Sequence, residues 1–321
     1  ETLVLIAQKK EAVNNSIIYN DEKSAEKLLS EIDALLRGVT AANKNQENQI
    51  AGYLEDNRRE LNKISHINDI PTPFVFADLS ASGTSFQHLI HAPDGDYLIS
   101  SGSTLSKWKD GKVTEVAISP GVIGRIFLNG SNTFVTTVDN AFLRLTGSTL
   151  APATFSAHSE QKVITAASLY TNNLYVLDTV SKSIFKYNGT SSGIFSAGTV
   201  WARDDALAQA QDITIDGNLY ALGADGRISK YLRGQRVDFS YHEPTPRIGN
   251  NAKIYTTKES NYLYILDPDN KRVIIMEKQG AIKDQFTSKE FSDLSDLAML
   301  PDESSVAVLS GSKIYLIAIT E

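Results

Sequence analysis

Two periodicities divide the chain. Up to about residue 68, apolar residues return every three or four positions, the spacing of amphipathic helices. The clearest run is Ala25, Leu28, Leu29, Ile32, Leu35 and Leu36. Asn20 or Asp21 suits its N-cap and Gly38 its end. An earlier helix is predicted from Leu3, Ile6, Val13 and Ile17, which fall near one face. A later one is predicted from Ile50, Tyr53 or Leu54, Asn57, Leu61 and Ile64, which form a narrow seam repeating near every 3.5 residues. That seam suits packing within the chain, with an oligomerisation stripe as the alternative. The polar run 42–49 reads as a loop or a solvated first turn, and Pro71 and Pro73 bar further helix. The expected division is therefore a helical segment over 1–70 and a second domain over 71–321.

From residue 86 onward the period falls to two, in short strands rich in Val, Ile, Tyr, Phe and Thr. Six segments share a core strand: Tyr97-Leu98-Ile99, Thr133-Phe134-Val135, and the runs at 173–177, 218–222, 262–266 and 305–309. They recur roughly every 40 residues, the period of a four-stranded propeller blade. A following strand has the form apolar-x-basic-aromatic in Leu105-Ser106-Lys107-Trp108, Ile184-Phe185-Lys186-Tyr187 and Ile228-Ser229-Lys230-Tyr231. Asp-Gly or Asn-Gly pairs at 94, 110, 129, 188, 216 and 225 supply residues that tolerate positive φ in tight hairpins. The last segment holds only three strands, and an unassigned strand at 74–79 precedes the first. That strand is predicted to complete the last blade and leave no open sheet edge. The fold class is then mainly β: a six-bladed β-propeller closed by an N-terminal strand and preceded by an α-helical segment.

The repeat resembles the six-bladed NHL/YVTN-type propellers. The likeness lies in Asn-Leu-Tyr-Val-Leu-Asp at 173–178, Tyr-Leu-Tyr-Ile-Leu-Asp at 262–267 and Asp-Gly-Arg-Ile-Ser-Lys-Tyr at 225–231. It covers roughly 74–319, and its motifs encode blade geometry rather than an activity. Without a WD dipeptide or an Asp-box, WD40 and sialidase propellers are disfavoured. The helix-to-propeller order and Lys27-Leu28-Leu29-Ser30-Glu31-Ile32 also resemble part of some bacterial membrane proteins linked to PP2C-type phosphatases. That resemblance implies a sensory or scaffolding role with binding on one propeller face.

Composition narrows the chemistry. A formal net charge of −7 gives no basic footprint for nucleic acid. With no cysteine, disulfides, thiolate catalysis and Cys-ligated zinc are excluded, and neither the cytoplasm nor a bacterial exterior is. No stretch reaches the roughly 20 apolar residues of a membrane span. Leu3-Val4-Leu5-Ile6-Ala7, followed by Lys9 and Lys10, reads as a buried helix start; the alternative is the tail of an anchor lying before residue 1.

His88 and His91 are three apart on a strand and face opposite ways, against a shared metal. Asp267-Pro268-Asp269-Asn270 begins like a calcium loop but continues Lys271-Arg272, so it reads as a turn. No hydrolase, metalloprotease or nucleotide-binding fingerprint is present. Accordingly no catalytic residue, metal or cofactor is assigned. The candidate ligand-binding residues lie where the innermost strands begin: His88, Arg125, Lys162, Asp212, Lys253 and Asp296. Two longer connections add Trp201, Arg203 and Arg247, residue types favoured in binding hot spots. Trp201 has a second reading, as a side chain packed between blades. The expected function is a non-enzymatic propeller that binds a protein or peptide. The alternative is a lactonase, lyase or glycosidase with its site at the channel mouth.

Overall fold

The computed structural model describes residues 2–19 and 21–319. The side chain of Leu3 and the whole of Asn20, named above, lie outside the described residues. The chain divides into two compact units, Glu1–Asp69 with Ile282–Phe286, and Ile70–Ala281 with Thr287–Glu321.

In the first unit, α1 (Thr2–Ile18), α2 (Glu22–Arg37) and α3 (Lys44–Ile64) precede a short strand, Ile67–Asp69. Asp21 caps α2 by accepting the Ser24 N–H at 3.1 Å. Gly38 ends it with a right-handed backbone, φ −78°, its N–H reaching the Ala34 and Leu35 carbonyls. The polar run 42–49 becomes the first turn of α3. There Asn43 accepts from Gln46 N–H at 3.0 Å, while the Gln46 side chain accepts from Ala42 N–H, a reciprocal cap. The predicted stripes pack on one another: Ile6, Val13, Ala25, Leu29, Ile32 and Leu36 form a core joined by Leu54, Leu61 and Ile64. Asn57, the polar member of the seam, is buried and donates to the Leu29 carbonyl at 2.9 Å.

The second unit is a six-bladed β-propeller. Blade 1 runs His88–His91, Tyr97–Ser101, Thr104–Lys109 and Lys112–Ile118 from the axis outward; blade 2 begins at Ile123–Asn129, blade 3 at Ala166–Tyr170 and blade 4 at Ala210–Ile215. Blade 5 starts with Lys253–Tyr255 and continues through Tyr262–Asp267 and Arg272–Glu277, and within the first unit Ile282–Phe286 lies in a strand that pairs with Ile67–Asp69. Blade 6 runs Leu294–Met299, Ser305–Ser310 and Lys313–Ala318, and its fourth strand is Phe74–Asp78. That strand pairs antiparallel, Phe74 opposite Leu316 and Asp78 opposite Lys313, so the ring closes as the sequence predicts.

The six recurrent core segments are the second strands of their blades. Each sits between neighbouring blades and is buried on both faces, which is why these segments read as nearly continuous apolar runs. Asn173–Asp178, Tyr262–Asp267 and Ser305–Ser310 are buried at every residue but the first. Interblade cores fill the gaps, and one crosses the closure: Leu89, Tyr97 and Ile99 of blade 1 meet Ala298, Ala307, Leu309 and Ile314 of blade 6.

The aspartates ending two of these strands hold the incoming chain. Asp178 accepts from Lys162, Val180 and Ser181 N–H, and Asp267 from Gly249 N–H and Arg272. The calcium-like run at 267–270 is thus a turn. Asp110 and Gly111 both take positive φ, as a type I′ hairpin requires. The pair at 188 differs. Gly189 is needed for closeness, because a Cβ there would stand 1.8 Å from the Asn172 carbonyl oxygen.

Candidate functional site

Along an innermost strand, alternate side chains face the axis. Three of these strands carry a register shift near their start, at Arg125, Asp212 and Asp296, and there they aim a charged residue into the channel. Asp212 and Asp296 do the same work two blades apart. One oxygen of Asp212 accepts the Ile254 N–H of blade 5 at 2.9 Å, and the other accepts its neighbour Ile213 N–H and the Arg125 guanidinium. Asp296 accepts Leu89 N–H of blade 1 at 2.9 Å, Leu297 N–H at 3.0 Å and the Tyr255 hydroxyl. Each carboxylate therefore ties its strand to the next blade.

Around this pair, Arg125 lies over the Tyr255 ring at 5.2 Å. Lys253 donates to the Ser295 carbonyl at 2.6 Å and stands 3.6 Å from Asp296. His88 has Nε2 3.1 Å from the Ile123 carbonyl and Nδ1 3.5 Å from Asp296. Burial works against the Asp296 carboxylate, but Lys253, His88 and the Tyr255 hydroxyl outweigh it and hold its pKa well below the usual range. Burial likewise opposes the Arg125 charge, and Asp212, Tyr255 and Asp296 overcome it, raising the pKa. Burial, with Asp296 adding to it, pushes the Tyr255 hydroxyl well above the ordinary tyrosine value.

The network partitions the channel. On the face where the innermost strands begin, here the upper face, lies a cavity of about 570 Å³ lined by Gln211, Asp212, Asn250, Asn251 and Lys253 among others. On the lower side lies a cavity of about 400 Å³ with a more apolar wall, including Leu89, Ile126, Phe127, Leu169 and Met299. Arg125, Tyr255 and Asp296 line both. Among the described residues, no three His, Asp or Glu side chains converge to hold a metal ion.

Of the nine residues named from sequence, five come together here: His88, Arg125, Asp212, Lys253 and Asp296. The other four lie elsewhere. Lys162 is exposed, its backbone N–H donating to Asp178 at 2.6 Å. Trp201 is in the outer strand Thr199–Arg203, not a loop, and packs edge-on against Tyr175 at the blade 3–4 core. Arg203 pairs with Glu160 at 2.5 Å, and Arg247 with Glu243 at 3.0 Å. Sequence reasoning missed Tyr255. Its signal was the two-residue step from Lys253, which puts both side chains on the axial face of one strand.

Fold and channel together define a six-bladed β-propeller with a polar partition across its axis. No protein-family model and no curated protein matches the chain. Solved structures do. Virginiamycin B lyase from Staphylococcus aureus aligns with a TM-score of 0.54 and 13% identity over 76% of this chain and 98% of that one. The extracellular domain of a hybrid two-component system from B. thetaiotaomicron aligns with a TM-score of 0.50 and 12% identity, over 78% of this chain and 43% of that one. PorZ, a surface component of the type-IX secretion system of Porphyromonas gingivalis, aligns with a TM-score of 0.47 and 14% identity. This chain spans 30% of its length. At these identities the likeness is one of fold.

Proposed function

We propose that the chain is a non-catalytic recognition module, a propeller that binds a protein or peptide ligand at its upper face. In this reading it is the sensory or scaffolding part of a larger bacterial signalling protein. One observation carries the reading. The two channel carboxylates, the groups a lactonase, lyase or glycosidase would spend on chemistry, are both occupied in joining blades through backbone N–H groups. A general acid or base needs a proton to exchange with substrate, and the depressed pKa of Asp296 suits a fixed anion instead. The lyase and the extracellular domain of the two-component system both share the fold, and fold alone carries no activity.

The test is a turnover screen with lactones, esters, glycosides and cyclic depsipeptides, with and without Mg²⁺ or Ca²⁺. No turnover is expected. Turnover that Asp296→Asn abolishes in a folded protein overturns the proposal.

A further inference from the structure

Below the partition, the cavity of about 400 Å³ is walled in part by residues within one position of the end of each innermost strand. Ile90, Leu128, Leu169 and Met299 come from blades 1, 2, 3 and 6, and Thr214 and Thr256 from blades 4 and 5. The two threonines bond within the wall. Thr256 N–H donates to the Thr214 hydroxyl at 2.9 Å, and that hydroxyl to the Thr256 carbonyl at 3.3 Å. The Thr256 hydroxyl donates to the Tyr262 carbonyl at 2.8 Å. The four apolar side chains are each half-buried and keep open surface on the cavity. Water in a space of that size, on the order of ten molecules, meets a wall that gives it few hydrogen bonds. Its release favours an apolar occupant.

The polar groups narrow the ligand further. The two full charges on the lining are matched within the protein, Arg125 by Asp212 and Asp296 by Lys253 at 3.6 Å, so a charged ligand finds no spare counter-charge. His91, at the lower end of its strand, rests edge-on against the Tyr97 ring at 5.0 Å. Hydrogen-bond donors do remain. The Arg125 guanidinium has five N–H donors, and among the described residues its hydrogen bond goes to Asp212 alone. It is 20% exposed and lies 5.9 Å from the ring of Phe127, which lines this cavity and not the upper one. The Ser168 hydroxyl, also on the lining, has no bonding partner among the described residues. The mouth separates a free molecule from a protein partner. The turns around it, at 92–96, 129–132, 171–172, 216–218, 257–261 and 300–304, expose no large apolar side chain among the described residues. A docked protein calls for an apolar patch that continues outside the hole. Here the apolar surface stops at the edge, as it does around an enclosed small ligand.

We propose that the lower end of the channel is a second binding site, for a small uncharged molecule with an apolar body and a carbonyl-type acceptor directed at Arg125. It is independent of recognition on the upper face and stands or falls by its own test. The probe is prodan, a neutral naphthyl ketone whose emission moves to the blue in an apolar site, titrated with the full chain. Saturable, blue-shifted binding is expected, with a dissociation constant on the order of 10 µM. Met299→Trp fills the cavity and Leu169→Gln makes its wall polar, and each should weaken binding about tenfold. Asn250→Trp, in the upper cavity, and Leu232→Glu, on an outer strand, should leave it unchanged. Dimethylaminonaphthalene, which lacks the carbonyl, should bind about tenfold less well, and the anionic dye ANS should not displace prodan. Unchanged melting temperatures establish that the variants fold.

Prodan binding that ignores both lower-cavity variants, binding lost only in Asn250→Trp, or no binding at all overturns the site. Equal binding of the two naphthalenes overturns the acceptor at Arg125. Displacement of prodan by ANS overturns the requirement for an uncharged ligand.

Discussion

Asp296 joins strands of blades 5, 6 and 1, as Asp212 joins strands of blades 2, 4 and 5. Replacing Asp296 with Asn turns one acceptor into a donor facing N–H groups. The expected loss is about 2–4 kcal/mol in urea unfolding. Its folded pKa lies below the unfolded value, so its stabilisation is complete above the unfolded pKa near 4 and is lost as pH falls toward the folded one. Stability measured from pH 6 downward should therefore hold and then fall below about pH 4. In Asp296→Asn that acid slope should lessen by about one proton; an unchanged slope would exclude Asp296 as its source. Sequence pattern reached these residues only in part. The axial position of Asp212 and Asp296 follows from the start of each innermost strand, but their partners lie 42 and 207 residues away, and no local spacing encodes that pairing.

At the scale of elements, the strand Phe74–Asp78 has only one neighbour in its sheet, Lys313–Ala318, and supplies the outer edge of blade 6. A chain beginning after residue 80 should show a lower melting temperature and concentration-dependent association, read by scattering, because the edge of 313–318 is then unpaired. Equal melting and a monomeric state would mean the strand is dispensable. Burial on both faces made the second strands plain in the sequence, and the shortfall of one strand at the end of the repeat exposed the closing one. Outer strands were harder. Gln235–Val237 has three residues and a solvated face, so neither length nor alternation marks it. Trp201 shows the same limit, since an aromatic in an outer strand reads like one in a loop.

Across the whole propeller, burial falls from the second strands to the rim. Amide exchange should follow: slowest in Asn173–Asp178, Tyr262–Asp267 and Ser305–Ser310, fastest in Thr149–Pro152 and Gln235–Val237. A uniform rate across each blade would contradict that order. The repeat made the blade number legible, whereas the partition of the channel depends on one arginine, one tyrosine and two aspartates from four different blades and has no sequence signature. The two-ended last blade also bears on synthesis. Asp78 leaves the ribosome roughly 235 residues before Lys313, its partner. At about 5–20 residues per second the early strand waits on the order of 10–50 s with no mate. During that time the growing polypeptide presents a free pairing edge, and a holding chaperone has a defined segment to shield.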